Sequence, residues 1–237
     1  MYVAQEIPQI NAEIVQKGHF RMETKYKIRK ALSAKESVFN NFTHEKEIST
    51  SWLKLATAEK LADDKLIFSG FTGILIPKNI SHVLRVCIIA EMKSRASHAS
   101  SSRKISEKEP VKLIHDEDED RAAWINNLYK KNDPWDSSLC DLVIPMDKMD
   151  QEKAVSLIVY NAGKDVIKPT ARSGKAADDF LIAAKVEMHL AREGHIAGVR
   201  VKEGGVTITI HKRVLLPVKL EEEFRSIAAK ISGVRFV

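Results

Sequence analysis

The densest ionisable cluster in this sequence is Asp116-Glu117-Asp118-Glu119-Asp120, followed directly by Arg121. An acidic run invites a cation-site reading. On a helix, however, successive residues point all round the axis, so these side chains cannot converge on one ion. Such runs are normally solvated faces. His82, His98, His115, His189, His195 and His211 show no metal-ligand spacing among themselves or with Cys87 and Cys140, the two cysteines. Cys87 sits inside an apolar run and reads as core. No Ser/His/Asp or Cys/His arrangement has sequence support. A phosphate cradle would read Gly-x-x-x-x-Gly-Lys-Ser/Thr after a strand, because its backbone N–H groups and lysine hold the phosphates. The sequence contains none. Gly163-Lys164 and Gly174-Lys175 lack the leading glycine and the following Ser/Thr, and Gly18 is the only glycine before Gly70. Trp124, Tyr129 and Trp135 read as packing residues rather than a base-stacking platform.

The elements that must position these groups follow from periodicity. Residues 66–95, LIFSGFTGILIPKNISHVLRVCIIAEMKSR, read as two buried strands joined by a Gly/Pro-bearing connection. Ile7, Ile10, Ile14 and Val15 suggest a short amphipathic helix, and residues 23–63 are mostly helical with a break at 40–44. A helix starts near Glu91, and the Ser-rich segment 97–104 reads as a mobile loop over the strand ends. Helical spacing resumes from Glu107 to Tyr129, then a turn at 132–136, a strand at 141–146 and a helix from Asp150 to Tyr160. Residues 161–175, with two glycines, a proline and several basic residues, read as a linker. An αββαβ pattern follows over 176–237. Its helices run 178–192 and 220–231, Glu203-Gly204-Gly205 turns between strands 198–202 and 206–210, and Gly233–Val237 closes as a strand.

Composition narrows the function classes. The 237 residues are 44% hydrophobic, enough for a real core, and the net charge is +6. Half of that excess lies in 161–175, where basic residues outnumber acidic ones by three. A nucleic-acid footprint needs a basic stripe on one folded face with aromatics interleaved, so nucleic acid is not an expected partner. No apolar run reaches the roughly 20 residues of a membrane span. The N-terminus lacks a basic-then-apolar signal pattern, and the cysteines make no disulfide framework, so a cytoplasmic location is expected.

Two segments resemble known families. Residues 50–160 resemble the later part of cytidylate-kinase-like P-loop kinases. The carrying features are a strand ending at Gly70, His82–Arg95, the Asp118-x-x-Arg121 helix start, Lys131-Asn132-Asp133-Pro134-Trp135, Cys140–Asp147, and the helix from Asp150. That resemblance implies an α/β fold, an incomplete P-loop-kinase-like parallel sheet with flanking helices. It also implies that Arg95, Arg103 and Arg121, the last with Asp118, stand where the family clamps phosphates. Residues 176–237 resemble a BON module, a small α+β domain, through Asp178-Asp179, Val199-x-Val201, Gly204–Ile208 and Gly233-Val234. Such modules imply membrane-surface, small-ligand or protein contacts without catalysis. The bland reading of Arg95 and Arg121 is that they cap helices or pair with the acidic run.

The domain plan is therefore 1–160, a linker at 161–175, and 176–237. Without the phosphate loop, the expected protein is a non-catalytic ligand- or partner-binding one on a kinase-like scaffold, with no cofactor and no metal. An anionic small ligand is the expected small partner. The apolar flank of the 23–63 helices predicts a homodimer or a partner protein. The alternatives are an active nucleotide or small-molecule kinase with a non-standard phosphate site and, less favoured, a membrane-surface adaptor acting through the second domain.

Overall fold

The structure, a computed structural model, describes residues 31, 33, 44–63, 66–68, 70–103, 108–210 and 215–237. The helix expected around Ile7–Val15, most of that expected from 23, and the break at 40–43 lie outside the described residues.

Helix α1 (Glu45–Leu61) carries Glu45 and Glu47 in its first turn and Lys60 in its last, charges that complement the helix dipole. It buries Leu53 and Ala58. The apolar run after it does not form the expected strand. Leu66 and Ile67 are 40% and 64% exposed, and Phe71–Leu75 is a 3-10 turn. The reason is local. Gly70 sits at φ 88°, ψ −163°, which breaks any extended run. The carbonyls beyond it bond to side chains instead of a ladder: Tyr129 Oη donates to Ile74 O, and Arg85 Nη2 donates to Pro77 O (2.7 Å) and Ile76 O (3.3 Å). Leu75, Ile76 and Ile80 are still buried.

The second expected strand forms, but shorter, as β1 (Val86–Ile89). It pairs in parallel with β2 (Leu142–Pro145), from Val86 opposite Leu142 to Ile89 opposite Pro145. Aspartates clip both ends of this pair. Arg85 N donates to Asp141 Oδ2 (2.8 Å), and Glu91 N donates to Asp147 Oδ2 (2.6 Å). The crossover between the strands is α2 (Met92–Arg103) and α3 (Lys108–Tyr129). The Ser-rich segment expected as a loop is thus helical through Arg103. Burial of Ala99 outweighs serine's weak helix preference, and Ser101 Oγ bonds back to Ser97 O (3.0 Å). Trp124 and Ile125 of α3 pack with Leu53, Leu75 and Leu139 in one core cluster.

Helix α4 (Gln151–Ala162) starts on Asp150, whose side chain accepts from Lys153 N. The segment expected to be a linker is instead the end of α4, a 3-10 turn at Asp165–Ile167, and the first turn of α5 (Ala171–Arg192). Thr170 and Ser173 form a reciprocal capping box there. Ser173 is buried, and His82 Nδ1 lies 2.9 Å from its Oγ. Basic and glycine content suggested a solvated tether, but the small residues Ser173, Ala176 and Ala184 are what close helix packing requires. Helix α5 has two jobs. Ala176, Phe180 and Ala184 pack on Ala58, Ile76 and Ile80, and Lys54 Nζ pairs with Glu187 (2.8 Å). Val186 and Leu190 enter the C-terminal core. Helix α5 thus covers α1, the described part of the 23–63 flank on which a second copy was expected.

Strands β3 (Gly198–Lys202) and β4 (Gly205–Thr209) form an antiparallel hairpin. Its turn residues are Glu203 (φ 53°) and Gly204 (φ 78°), with Gly205 already in the strand. Asp179 fixes the turn by accepting from Glu203 N (2.9 Å) and Gly204 N (3.2 Å). Helix α6 (Pro217–Ala229) covers the hairpin with Phe224 and Ala228. The expected closing strand is a single parallel bridge, Gly205 to Phe236. No helix among the described residues is long and apolar enough to cross a membrane.

Candidate functional site

Strand β1 ends at Ile89, and the chain turns into α2 through Glu91. One turn into α2, Arg95 faces α3. Its guanidinium forks onto Asp118, Nη1 to Oδ2 at 2.7 Å and Nη2 to Oδ1 at 2.8 Å. From the next turn of α3, Arg121 reaches back: Nη1 donates to Asp118 Oδ1 (2.7 Å) and Nη2 to Glu117 Oε2 (3.2 Å). Helical spacing explains the second pair, since Asp118 and Arg121 lie on one face three residues apart. The first pair depends on the packing of α2 against α3. Arg121 is 6% exposed, and its guanidinium carbon lies 5.7 Å from the centre of the Trp135 ring. Trp135 thus closes the cluster from the loop before β2 and contributes a cation–π contact.

Burial by itself would push the Asp118 carboxyl up. The hydrogen bonds and charges of Arg95 and Arg121 overcome that and hold it below the usual carboxylate range. Burial pulls Arg121 below its ordinary value, opposed by Glu117 and Asp118. The result is a compact +2/−2 group, counting Glu117, in which each guanidinium already has a carboxylate partner. Such a cluster offers planar, bidentate recognition of an anion only if that anion displaces Asp118.

Three of the four expected residues, Arg95, Asp118 and Arg121, are thereby brought together. The side chain of Arg103 lies outside the described residues. Arg85, Glu117 and Trp135 joined no expected site. Arg85 was legible only as a lone cation inside an apolar run. Its guanidinium is buried on the carbonyls of Val83, Ile76 and Pro77, so it pins the 3-10 segment against the sheet. The remaining acids of the run, Asp116, Glu119 and Asp120, form no cluster with a metal-ligating partner set. Among the described residues no group of His, Cys, Asp and Glu could hold a metal ion.

Cys87 on β1 and Cys140 before β2 are both free thiols. A hydrogen bond from Cys140 lowers the Cys87 thiol, and the same contact pushes Cys140 up. Of the glycine–lysine pairs, Gly163-Lys164 follows α4, where Lys164 Nζ stacks 3.9 Å from the Tyr160 ring centre. Gly174 lies within α5. Neither forms a phosphate cradle.

A family model, the cytidylate kinase-like family, matches residues 2–148, more than half of the chain. The match begins well before residue 50 and ends just before α4. No curated protein and no solved structure matches the chain.

Proposed function

The chain belongs to the cytidylate kinase-like family, and from that premise we propose that it is a non-catalytic member, binding an anionic small ligand or a partner rather than transferring phosphate. The observation that carries this reading is the state of the arginines. Phosphoryl transfer is almost entirely positioning and charge stabilisation, supplied by a backbone cradle, a metal ion and free guanidiniums. In this chain Asp118 holds Arg95 and Arg121 together. The sequence also lacks the Gly-x-x-x-x-Gly-Lys-Ser/Thr cradle. An anion at this cluster competes with an internal carboxylate, which suits reversible sensing better than turnover. The order α5, β3, β4, α6 and the bridge at Phe236 support a BON-like reading of the C-terminal unit as a second, non-catalytic binding surface.

Calorimetric titration with ATP and CMP in the presence of Mg²⁺, followed by nucleotide chromatography, tests the proposal. The expected result is no CDP. Accumulation of CDP at a rate proportional to protein concentration overturns it and restores the active-kinase reading.

A further inference from the structure

Helix α4 is poorly covered by the other described residues. Of its twelve residues only Ala154 is fully buried. Val155, Val159 and Tyr160 are 52%, 65% and 63% exposed, and Val166 in the following 3-10 turn is 75% exposed. A short helix gains little from intrinsic propensity in water and depends on burying an apolar face. At 100° per residue, Val155, Val159 and Ala162 share one side with Glu152, Ser156 and Gly163. That face carries aliphatic knobs with small residues between them. The Gly163 backbone is helical, φ −80°, and a Cβ there would meet only carbonyl oxygens at 3.6 Å and 3.7 Å. Glycine is therefore not needed for the fold of the monomer at this position.

The charges say what covers the face. At the start of α4, Asp150 and Glu152 outnumber Lys153; beyond its end, Lys164 and Lys168 outnumber Asp165. Internal pairs, Lys153 with Asp150 (2.8 Å) and Lys168 with Asp165 (2.7 Å), leave one end net negative and the other net positive. A face with this polarity is complementary to itself under a two-fold axis, which sets each start against the other's end and opposes the helix dipoles. We propose that α4 is the homodimer interface, occupied by α4 of a second copy of this chain in antiparallel register, with Val155 and Val159 at its centre. The inference is independent of whether the kinase-like domain transfers phosphate.

Sedimentation equilibrium of the full chain tests it. The wild type is expected to be dimeric. Val159→Glu, which places a carboxylate at the centre of the apolar seam, is expected to weaken the dimer about a hundredfold, while at concentrations low enough to dissociate both proteins it melts as the wild-type monomer does, because Val159 is exposed in the monomer. Glu152→Lys or Lys168→Glu alone makes both ends of the seam alike and is expected to weaken association about tenfold. The double variant Glu152→Lys/Lys168→Glu is expected to restore it. A monomeric wild type, a Val159→Glu protein that dimerises as the wild type does, or a double variant no tighter than the single ones overturns the proposal.

Discussion

Between α2 and α3 the chain holds Arg95, Asp118 and Arg121 in partly or fully buried contact. The C-terminal core, built on Val186, Leu190, Val199, Val206, Phe224, Ala228 and Ile231, contains no charge. There the ion pairs, such as Arg225–Glu221, lie on the surface. Taking charge out of water costs several kcal/mol per ion, on the order of what a whole core substitution costs. The two regions are therefore held by different forces. The C-terminal unit is held together by burial. The kinase-like unit instead keeps buried ion pairs, whose desolvation makes them a weak source of stability. Helix α5 joins the two, with Phe180 facing α1 and Val186 and Leu190 facing the hairpin.

The largest expected effects test that junction. Phe180→Ala and Phe224→Ala should each cost about 3–5 kcal/mol, the usual loss for a buried phenylalanine. Since α5 carries Phe180 and Phe224 packs against the same helix, both should shift a single cooperative urea transition seen by fluorescence and circular dichroism alike. Separate transitions after Phe224→Ala would show that the units melt independently.

Next comes the charged cluster. Asp118→Ala removes the carboxylate that Arg95 and Arg121 share, leaving Arg121 with Glu117, and should cost about 3 kcal/mol in urea denaturation. The surface pair of the other unit, probed with Glu221→Ala, should cost at most about 0.5 kcal/mol. Equal effects would erase the contrast drawn between the units. A sharper version uses pH. The folded-state value of Asp118 is depressed. Its contribution is therefore present above the unfolded value of about 3.9 and lost as pH falls through the lower folded value. The stability difference between wild type and Asp118→Asn should be constant near neutrality and shrink on acidification below about pH 4. A gap that persists at low pH would mean that shape, not charge, makes the cluster.

Gly204 provides a smaller, local effect on the apolar side of the comparison. At φ 78°, with an added Cβ only 2.8 Å from Gly233 O, Gly204→Ala should cost about 1–3 kcal/mol in melting experiments while leaving the arginine cluster's pH response unchanged.

Local features were the legible ones. The hairpin was announced by alternating Val199, Val201, Val206 and Ile208 around Gly204, and α3 by its three-and-four apolar spacing, because both depend on neighbours within a few residues. Asp118 and Arg121 were readable as a pair for the same reason. The run from Leu66 to Ile76 was misread because continuous apolar sequence does not tell a buried strand from an irregular segment whose carbonyls are satisfied elsewhere. Here the donors come from Arg85 and Tyr129, which lie far away in sequence or inside another pattern. The Ser-rich segment after Arg95 was misread because composition reports solvation in isolation, and burial of Ala99 overrode it.

The sequence by itself determined the family, the order of helices and strands over most of the chain, and which arginines to watch. Those properties reside in residue identity and short-range spacing. Tertiary structure alone decided that Arg95 and Arg121 meet on Asp118, that Trp135 closes over Arg121, and that α5 covers α1. Each is a contact between residues distant in sequence. Their meeting depends on how helices pack across a whole domain, and no local period encodes that.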